Sequence, residues 1–291
     1  MKPYLSIRNL SVSLISGQRV LRSVSMELSK GAVRGLVGES GAGKSMIGKA
    51  ILGILPHSLI IKEGEIYLEG VDLLSLTPND RRKKIGTSAA LIPQDPLTAL
   101  NPSHRICRQI INRLIDILGW EKPDAIRRAY ELLDEVQIPD AKRVMQSFPH
   151  ELSGGMRQRI LIASAFAAEP KLIIADEPTT ALDVTVQKQI LKLINEMQTR
   201  HGTAMLFITH DLGVVSKICQ SLSVLYSGKV IEDTSVIKFF TKPKHSYSRA
   251  LLAASPKYTD PKSNLIPVPE KVLSFVENQI SLSDEAWMND R

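Results

Sequence analysis

The feature that most restricts the fold is a glycine-rich segment directly after an apolar run. Residues 33–45 read VRGLVGESGAGKS, and positions 38–45 match G-x-x-x-x-G-K-[ST] at every fixed position. The run Val33–Val37 predicts a buried strand, and Met46–Leu55 predicts a helix. A loop between a strand and a helix N-terminus turns backbone N–H groups towards an anion. The segment therefore predicts an α/β fold with a phosphate-binding loop.

Each residue type in this loop has a use in phosphate binding. Gly38, Gly41 and Gly43 allow the backbone to wrap around phosphates, and Lys44 adds a positive charge near the β- and γ-phosphates. Ser45 can offer its hydroxyl to Mg²⁺. The alternative is a plain glycine turn with an exposed lysine. We expect nucleotide contacts from the whole loop: Gly38, Glu39, Ser40, Gly41, Ala42, Gly43, Lys44 and Ser45.

Length and composition favour one large domain with a smaller appendage. The 291 residues are 43% hydrophobic, which is enough for a sizeable core. With no long apolar run and no start like a secretion signal, we expect a cytoplasmic chain that does not itself span a bilayer. Cys107 and Cys219 stand apart, which excludes a zinc or redox CxxC spacing. A net charge of +7 suits nucleic acid or an anionic membrane, but the scattered basic residues favour ordinary surface charge.

Strand patterns dominate the first hundred residues. The stretch Tyr4–Leu28 alternates apolar and polar residues and breaks at Ser16-Gly17-Gln18, which predicts a β-hairpin. A second β-rich stretch covers residues 64–74. A short strand at 89–92 is expected to end where Pro93 and Pro96 exclude regular structure.

From Pro102 to Pro149 the pattern becomes helical, with prolines at 123 and 139. The two predicted apolar stripes are Ile106, Ile110, Leu114, Ile117 and then Ile126, Tyr130, Leu133, Val136. Helices at 156–168 and 185–200 then alternate with strands at 172–175 and 205–208. We predict a mainly parallel sheet with an inserted helical subdomain at about 100–155. Residues 1–255 form the domain, and the proline-rich segment 256–291 is an appendage, ordered in part at most.

Two carboxylates follow a predicted strand at the edge of this sheet. The run Leu172–Ala175 leads directly into Asp176 and Glu177. We expect Asp176 to lie near Mg²⁺, opposite Ser45, and Glu177 to be the general base for an attacking water. A solvated strand end is the alternative.

Gln94 and His210 also follow predicted strands. His210 would emerge at the same edge as Asp176, where it can hydrogen-bond a γ-phosphate and align the water with Glu177. The amide of Gln94 could reach Mg²⁺ or the water, and its loop leads into the helical insert. The predicted Mg²⁺ group is therefore Ser45, Gln94 and Asp176.

A second glycine motif, LSGGMRQR at 152–159, also predicts a phosphate contact. Ser153, Gly154 and Gly155 stand before a predicted helix, so a hydroxyl and N–H groups can face a phosphate. Since the chain already has one phosphate loop, this second motif is expected to contact a phosphate that a partner subunit binds.

In their order along the chain, these motifs resemble those of the ATP-binding-cassette (ABC) ATPases. The matching segments are GESGAGKS, Gln94, LSGGMRQR, LIIADEP, Ala181-Leu182-Asp183 and His210 in ITHD. The resemblance covers residues 4 to about 255 and implies a P-loop NTPase fold with a mainly parallel core sheet, an antiparallel β subdomain and an inserted α-helical subdomain. It implies ATP and Mg²⁺ as ligands. In that family the LSGGM segment closes over ATP held by another subunit, so Ser153, Gly154, Gly155 and Asp183 would contact the partner's ATP.

Three more segments narrow the resemblance to the oligopeptide, dipeptide and nickel importer ATPases. They are QDPLTALNP at 94–102, YSGKVIE at 226–232 and KHSYSRALL at 244–252. The resemblance implies a peripheral subunit on the cytoplasmic face of the inner membrane, paired with an identical or homologous ATPase. Its partners would be two transmembrane permease subunits, received by the Gln94 loop and the helical insert, and an extracytoplasmic solute-binding protein. Peptides are favoured, while nickel or another small solute stays open.

Two positions depart from that family. Leu14 stands where an adenine-stacking aromatic is common, so apolar packing would hold adenine and base selectivity would be loose. No cysteine follows Cys219, so the tail has no metal-cluster motif, although IPVPEKVL at 266–273 still resembles the family.

Two other functions are alternatives to transport. One is a soluble cassette ATPase acting on nucleic acid or the ribosome, but the compact insert and single cassette argue against it. The other is a small-molecule kinase, which does not account for LSGGMRQR. We expect no nucleic-acid partner.

Overall fold

The computed structural model describes residues 3–180, 182–255 and 267–289, which form two sheets surrounded by helices. The strands are β1 (Leu5–Leu14), β2 (Arg19–Leu28), β3 (Val33–Val37), β4 (Leu59–Leu68), β5 (Val71–Asp72), β6 (Ala89–Ile92), β7 (Leu172–Asp176), β8 (Ala204–Ile208), β9 (Ser221–Tyr226) and β10 (Lys229–Ser235). The helices are α1 (Lys44–Leu52), α2 (Pro78–Ser88), α3 (Pro96–Ala99), α4 (Ile106–Asp116), α5 (Lys122–Glu135), α6 (Ala141–Gln146), α7 (Gly154–Phe166), α8 (Val184–His201), α9 (Leu212–Ile218), α10 (Val236–Thr241), α11 (Ser246–Ala254) and α12 (Glu270–Asn289). Within these ranges no helix is long and apolar enough to cross a membrane.

The central sheet has the strand order β10-β9-β3-β8-β7-β6 and is parallel except where β10 pairs with β9. The strands predicted at 33–37 and 89–92 are confirmed at both ends. Along β8, Met205 and Phe207 enter one hydrophobic core, and Leu206 and Ile208 enter another on the opposite face. Burial of both faces explains why this strand has no polar residue.

The register of this sheet brings three strand ends together. Leu36 on β3 pairs with Ile208 on β8, and Ile208 pairs with Asp176 on β7. Since these strands are parallel, the loops that follow them begin at one edge of the sheet.

The second sheet is antiparallel, in the order β2-β1-β4-β5. The hairpin predicted at Ser16-Gly17-Gln18 is confirmed, and the Leu14 N–H donates to the Gln18 carbonyl at 2.8 Å. The start predicted for the next β-rich stretch, Gly64, is wrong because β4 begins at Leu59. Gly64 lies inside the strand at φ 103°, against Leu10, where the register with β1 shifts. It therefore marks a bulge and not a strand end.

The helical insert consists of α4, α5 and α6, between the central strands β6 and β7. Ile106, Ile110 and Leu114 of α4 are buried as predicted, but Ile117 is 47% exposed just beyond the helix. On α5 the predicted stripe is partly wrong, because Tyr130 is exposed and Ile126 only half-buried. The buried residues of that helix are Ala125, Ala129, Leu132 and Leu133. The prediction used only large apolar side chains. Because alanine has little apolar area, that pattern did not reveal the face of α5 that is packed.

Two prolines start helices instead of preventing them. Pro96 was expected to exclude regular structure, but it stands in the first turn of α3, where Asp95 Oδ1 accepts from the Leu97 N–H at 2.8 Å. Pro123 is likewise in the first turn of α5. The missing N–H of proline costs nothing at a position whose N–H has no helical partner.

The C-terminal appendage contains a helix that the sequence did not predict. Residues 256–266 lie outside the described part, but α12 occupies residues 270–289 and buries Val276 and Ile280. Asp284 accepts from Arg19 at 2.8 Å and from Arg22 at 3.0 Å, both on β2. The Arg19 guanidinium also stacks on the Trp287 ring, 4.3 Å from its centroid. The helix therefore ties the end of the chain to the antiparallel sheet.

Replacing Asp284 by alanine is expected to destabilise the fold without touching the phosphate loop. The Arg19 side chain is only 5% exposed and would lose its carboxylate partner. We expect the free energy of unfolding, measured by urea titration, to fall by about 2–3 kcal/mol. The control is Glu285→Ala, one residue further along on the exposed face. Equal stability of the two variants would show that the Asp284 pairs contribute nothing.

Candidate active site

The phosphate loop joins β3 to α1 and takes a conformation that depends on glycine. Gly38 has φ 153°, and a Cβ at this position would collide with the Leu225 carbonyl of β9. The Gly228 N–H donates to the Ala42 carbonyl at 2.8 Å, so the turn between β9 and β10 supports the loop from outside. The loop is therefore packed against the sheet before any ligand arrives.

Lys44 is buried at the centre of the loop. Its Nζ donates to the carbonyls of Gly38 and Glu39, both at 2.9 Å, and lies 3.8 Å from Glu177 Oε1. Burial lowers the pKa of Lys44, and the carboxylates of Glu177 and Asp176 oppose that shift. The Lys44 ammonium group is thus held inside the loop by two uncharged backbone carbonyls. Phosphate oxygens can replace these carbonyls as its acceptors.

Ser45 and Asp176 form a pair of oxygen ligands beside the loop. The Ser45 hydroxyl donates to Asp176 Oδ1 at 2.8 Å, although the residues are 131 positions apart. Burial raises the pKa of Asp176, and the hydrogen bond from Ser45 opposes that shift. A hydroxyl and a carboxylate are the ligand types that Mg²⁺ prefers, so the residues fit that ion. Among the described residues no larger His, Cys, Asp or Glu cluster of metal-binding type occurs.

Three polar side chains lie close to the carboxylate of Glu177. Its Oε2 lies 3.4 Å from Gln94 Nε2, 3.3 Å from His210 Nδ1 and 3.0 Å from Thr180 Oγ1. Its backbone has φ 44°, and its N–H donates to the Ile208 carbonyl at 3.0 Å. A glutamate in the left-handed region is strained, and this hydrogen bond to the adjacent strand holds it there. The structure thus brings Gln94 and His210 to the glutamate, as their positions after strands suggested.

Thr180 was missed by the sequence reasoning. Its hydroxyl reaches Glu177 because the chain turns directly after β7, and the Thr180 N–H donates to the Glu177 carbonyl at 3.3 Å. The sequence signal that could have identified Thr180 is its position three residues after Glu177, in the segment DEPTT.

Ser153, Gly154, Gly155 and Asp183 form a second group, away from the phosphate loop. Ser153 Oγ caps α7 by accepting from the Met156 N–H at 3.3 Å, and Asp183 caps α8 through Thr185 and Val186. A Cβ on Gly155 would lie 3.4 Å from Val186, so the two helix starts are neighbours. Within the described chain, no hydrogen bond or ion pair joins these residues to the phosphate-loop group. Ala181, from the same motif, lies outside the described residues.

Tyr226 and Ser227 were also missed. They line an open cavity of about 170 Å³ at the phosphate loop, together with Glu39, Ser40, Gly41 and Ala42. Leu14, expected beside adenine, is half-buried at the end of β1. Its effect on base selectivity stays a prediction.

One edge of the sheet carries the phosphate loop, the Ser45–Asp176 pair and Glu177. This combination defines the P-loop nucleoside triphosphatases. The helical insert between β6 and β7, with a serine-glycine-glycine helix start after it, narrows that class. The family model described as ABC transporter matches residues 21–180. The chain belongs to this family and is an ABC ATPase, with an α/β fold, a mainly parallel core sheet, an antiparallel sheet and a helical insert.

Two curated relatives and one solved structure show the extent of the similarity. The chain is 43% identical to the probable D,D-dipeptide transport ATP-binding protein DdpD of Escherichia coli, over 100% of this chain and 88% of that protein. It is 43% identical to the oligopeptide transport ATP-binding protein OppD of Bacillus subtilis, over 87% of this chain and 72% of the relative. A dimeric ATP-binding cassette in a post-hydrolysis state with ADP and phosphate superposes with a TM-score of 0.70 at 24% identity, covering 80% of this chain and 98% of the other. That last likeness concerns the fold.

Replacing Glu177 by glutamine is expected to abolish turnover while leaving nucleotide binding intact. The amide cannot accept a proton from water, yet it keeps the size of the side chain and leaves Lys44 and Ser45 in place. We expect ATP hydrolysis to fall by at least about 100-fold and the ATP-bound closed dimer to accumulate on size exclusion. The matched control is Glu196→Gln on the exposed face of α8. Wild-type hydrolysis by the Glu177 variant in the assembled complex would exclude the general-base role.

Proposed function

We propose that this chain is the ATP-hydrolysing subunit of an ABC importer that drives uptake of di- or oligopeptides across the cytoplasmic membrane. The observation that carries the proposal is the 43% identity, over the whole chain, to a protein named as a D,D-dipeptide transport ATP-binding protein. Relatives named for oligopeptide and dipeptide transport match at similar identity. In this proposal residues 1–255 are the cassette and 256–291 its appendage.

The phosphate loop 38–45 and Glu177 have the chemistry that hydrolysis needs. Lys44 exchanges its bonds to the Gly38 and Glu39 carbonyls for phosphate oxygens of ATP. Glu177 accepts the proton of the attacking water, and His210 keeps the water and the glutamate in line.

Mg²⁺ is proposed as the cofactor of this reaction. Ser45, Asp176 and Gln94 would hold it, and the bound ion supplies positive charge that neutralises the phosphates. The half-buried Asp176 carboxylate favours this role, because a cation at this position offsets the cost of removing its charge from water.

The second group of residues is proposed to serve the ATP of a second ABC subunit, identical or homologous. Ser153 and Asp183 are exposed, and the two adjacent helix N-termini that they cap present positive dipole ends on one surface. Their separation from the phosphate loop of the same chain supports a shared site.

The assembly proposed for this subunit contains two transmembrane permeases and an extracytoplasmic solute-binding protein. The subunit lies at the cytoplasmic face of the membrane as a peripheral protein. Gln94 supports coupling to the permeases, since it contacts Glu177 and precedes the helical insert.

The experiment for this function is uptake by proteoliposomes that contain the chain with its co-purifying permeases and binding protein. We expect ATP-dependent accumulation of labelled di- or tripeptides, absent in a complex that carries Glu177→Gln. Uptake of nickel without peptide would refute the peptide assignment and keep the transport ATPase. Hydrolysis stimulated by nucleic acid, with no permease partner, would refute both.

The shared site is tested by Ser153→Asp in the full chain. Aspartate caps a helix as well as serine does, so the thermal midpoint should not change, but its charge repels a phosphate from the partner site. We expect ATP binding by the isolated subunit to equal the wild type, and hydrolysis by the assembled complex to fall at least about tenfold. Ser216→Ala, on the exposed face of α9, is the control. Full activity of the assembled Ser153 variant would contradict the shared site.

A further inference from the structure

The turn between β9 and β10, Ser227-Gly228, packs between the antiparallel sheet and the phosphate loop. Ser227 has φ 43° and Gly228 has φ 77°, so both residues are in the left-handed region. A Cβ on Gly228 would collide with the Val20 carbonyl of β2, which shows how closely the turn approaches that strand. The Gly228 N–H donates to the Ala42 carbonyl of the phosphate loop at 2.8 Å. A serine in this conformation is strained, so the turn needs contacts that hold it.

Arg22 of β2 binds both carbonyls of this turn. Its backbone N–H donates to the Gly228 carbonyl at 2.8 Å, and its Nη1 donates to the Ser227 carbonyl at 2.6 Å. On the other side of the guanidinium, Nε donates to the two carboxylate oxygens of Asp284 in α12, both at 3.0 Å. The Arg22 side chain is only 13% exposed. A planar guanidinium with separate donor nitrogens can hold two acceptors at fixed positions.

The hydrogen bond from Gly228 determines how one peptide group of the phosphate loop is oriented. The described peptide bonds are trans, so the C=O and N–H of one peptide group point in opposite directions. Because the Ala42 carbonyl points at Gly228, the Gly43 N–H points away from the turn. Gly43 directly precedes α1, where N–H groups have no helical partner and can bind an anion. It is also packed against β2, since a Cβ on Gly43 would lie 3.0 Å from the Leu21 side chain.

We propose that Arg22 is a positioning residue for nucleotide binding. By holding the Ser227 carbonyl, it keeps the Gly228 N–H on Ala42 and thereby directs the Gly43 N–H at the phosphates. Among the described residues, the Arg22 side chain hydrogen-bonds the turn and Asp284 and no residue of the loop 38–45, so it acts through the turn. This role rests on the proposed phosphate site at 38–45.

The test is isothermal titration of the full chain with ADP and Mg²⁺, which avoids hydrolysis. Arg22→Lys keeps the positive charge beside Asp284 but lacks the second donor nitrogen that reaches Ser227. We expect the dissociation constant for ADP to rise about five- to tenfold, the size of one hydrogen bond.

The matched control is Arg19→Lys, which changes the other arginine that binds Asp284. Arg19 is on the same strand, and its side chain is 5% exposed against 13% for Arg22. We expect this variant to lower the thermal midpoint at least as much as Arg22→Lys does and to bind ADP as the wild type does. Wild-type ADP affinity of Arg22→Lys would overturn the proposal. So would losses of affinity that follow the thermal midpoint in both variants, because they would show a purely structural role.

Hydrogen exchange of the ligand-free chain, followed by mass spectrometry, tests the route through the turn. Arg22→Lys should speed exchange in peptides that cover the turn and residues 40–46, because the Gly228 N–H is no longer held on Ala42. Arg19→Lys should leave exchange in both regions unchanged. Weaker ADP binding without faster exchange at the turn would refute the positioning role.

Lys44→Ala separates this proposal from the phosphate site on which it rests. This variant should lose ADP binding in the same titration. If Lys44→Ala lost binding while Arg22→Lys kept it, only the role of Arg22 would fail. If Lys44→Ala bound ADP as the wild type does, the phosphate site itself would be refuted.

Discussion

The site depends on the register of the parallel strands β3, β8 and β7. Because Leu36, Ile208 and Asp176 lie side by side, the phosphate loop, His210 and the two carboxylates start from neighbouring backbone positions. A slip of one residue would exchange the two hydrophobic cores on either side of the sheet, so packing fixes the register. The relative positions of the site residues are thus fixed by buried apolar side chains that take no part in the chemistry.

Glu177 shows how the same sheet maintains a strained group. Its positive φ is unfavourable for a residue with a Cβ, but its N–H continues the hydrogen bonding between β7 and β8 through the Ile208 carbonyl. In this conformation the carboxylate contacts Gln94, Thr180 and His210. A glutamate on a relaxed loop would have no fixed relation to Lys44.

The sequence was informative where a signal is local and fell short where a partner is distant. Buried runs bounded by glycine or proline located β3 and β6, and the polar residues after each strand located Asp176, Glu177, Gln94 and His210. The packed face of α5 was misjudged because Ala125 and Ala129 carry little apolar signal. The helix α12 was missed because the residues that pair with Asp284 are on β2, more than 260 positions earlier in the chain. No window of neighbouring residues contains those pairs.

The ion pair between Arg19 and Asp284 spans 265 positions, so the whole segment between these residues must exist before it can form. A ribosome releases β2 long before α12. Until then the Arg19 guanidinium lacks both its carboxylate partner and the Trp287 ring that stacks on it. Contacts of such sequence separation form late, so the packing of this sheet is coupled to the synthesis of α12. A chain cut short before α12 therefore lacks more than a tail, because its first sheet keeps an unneutralised charge.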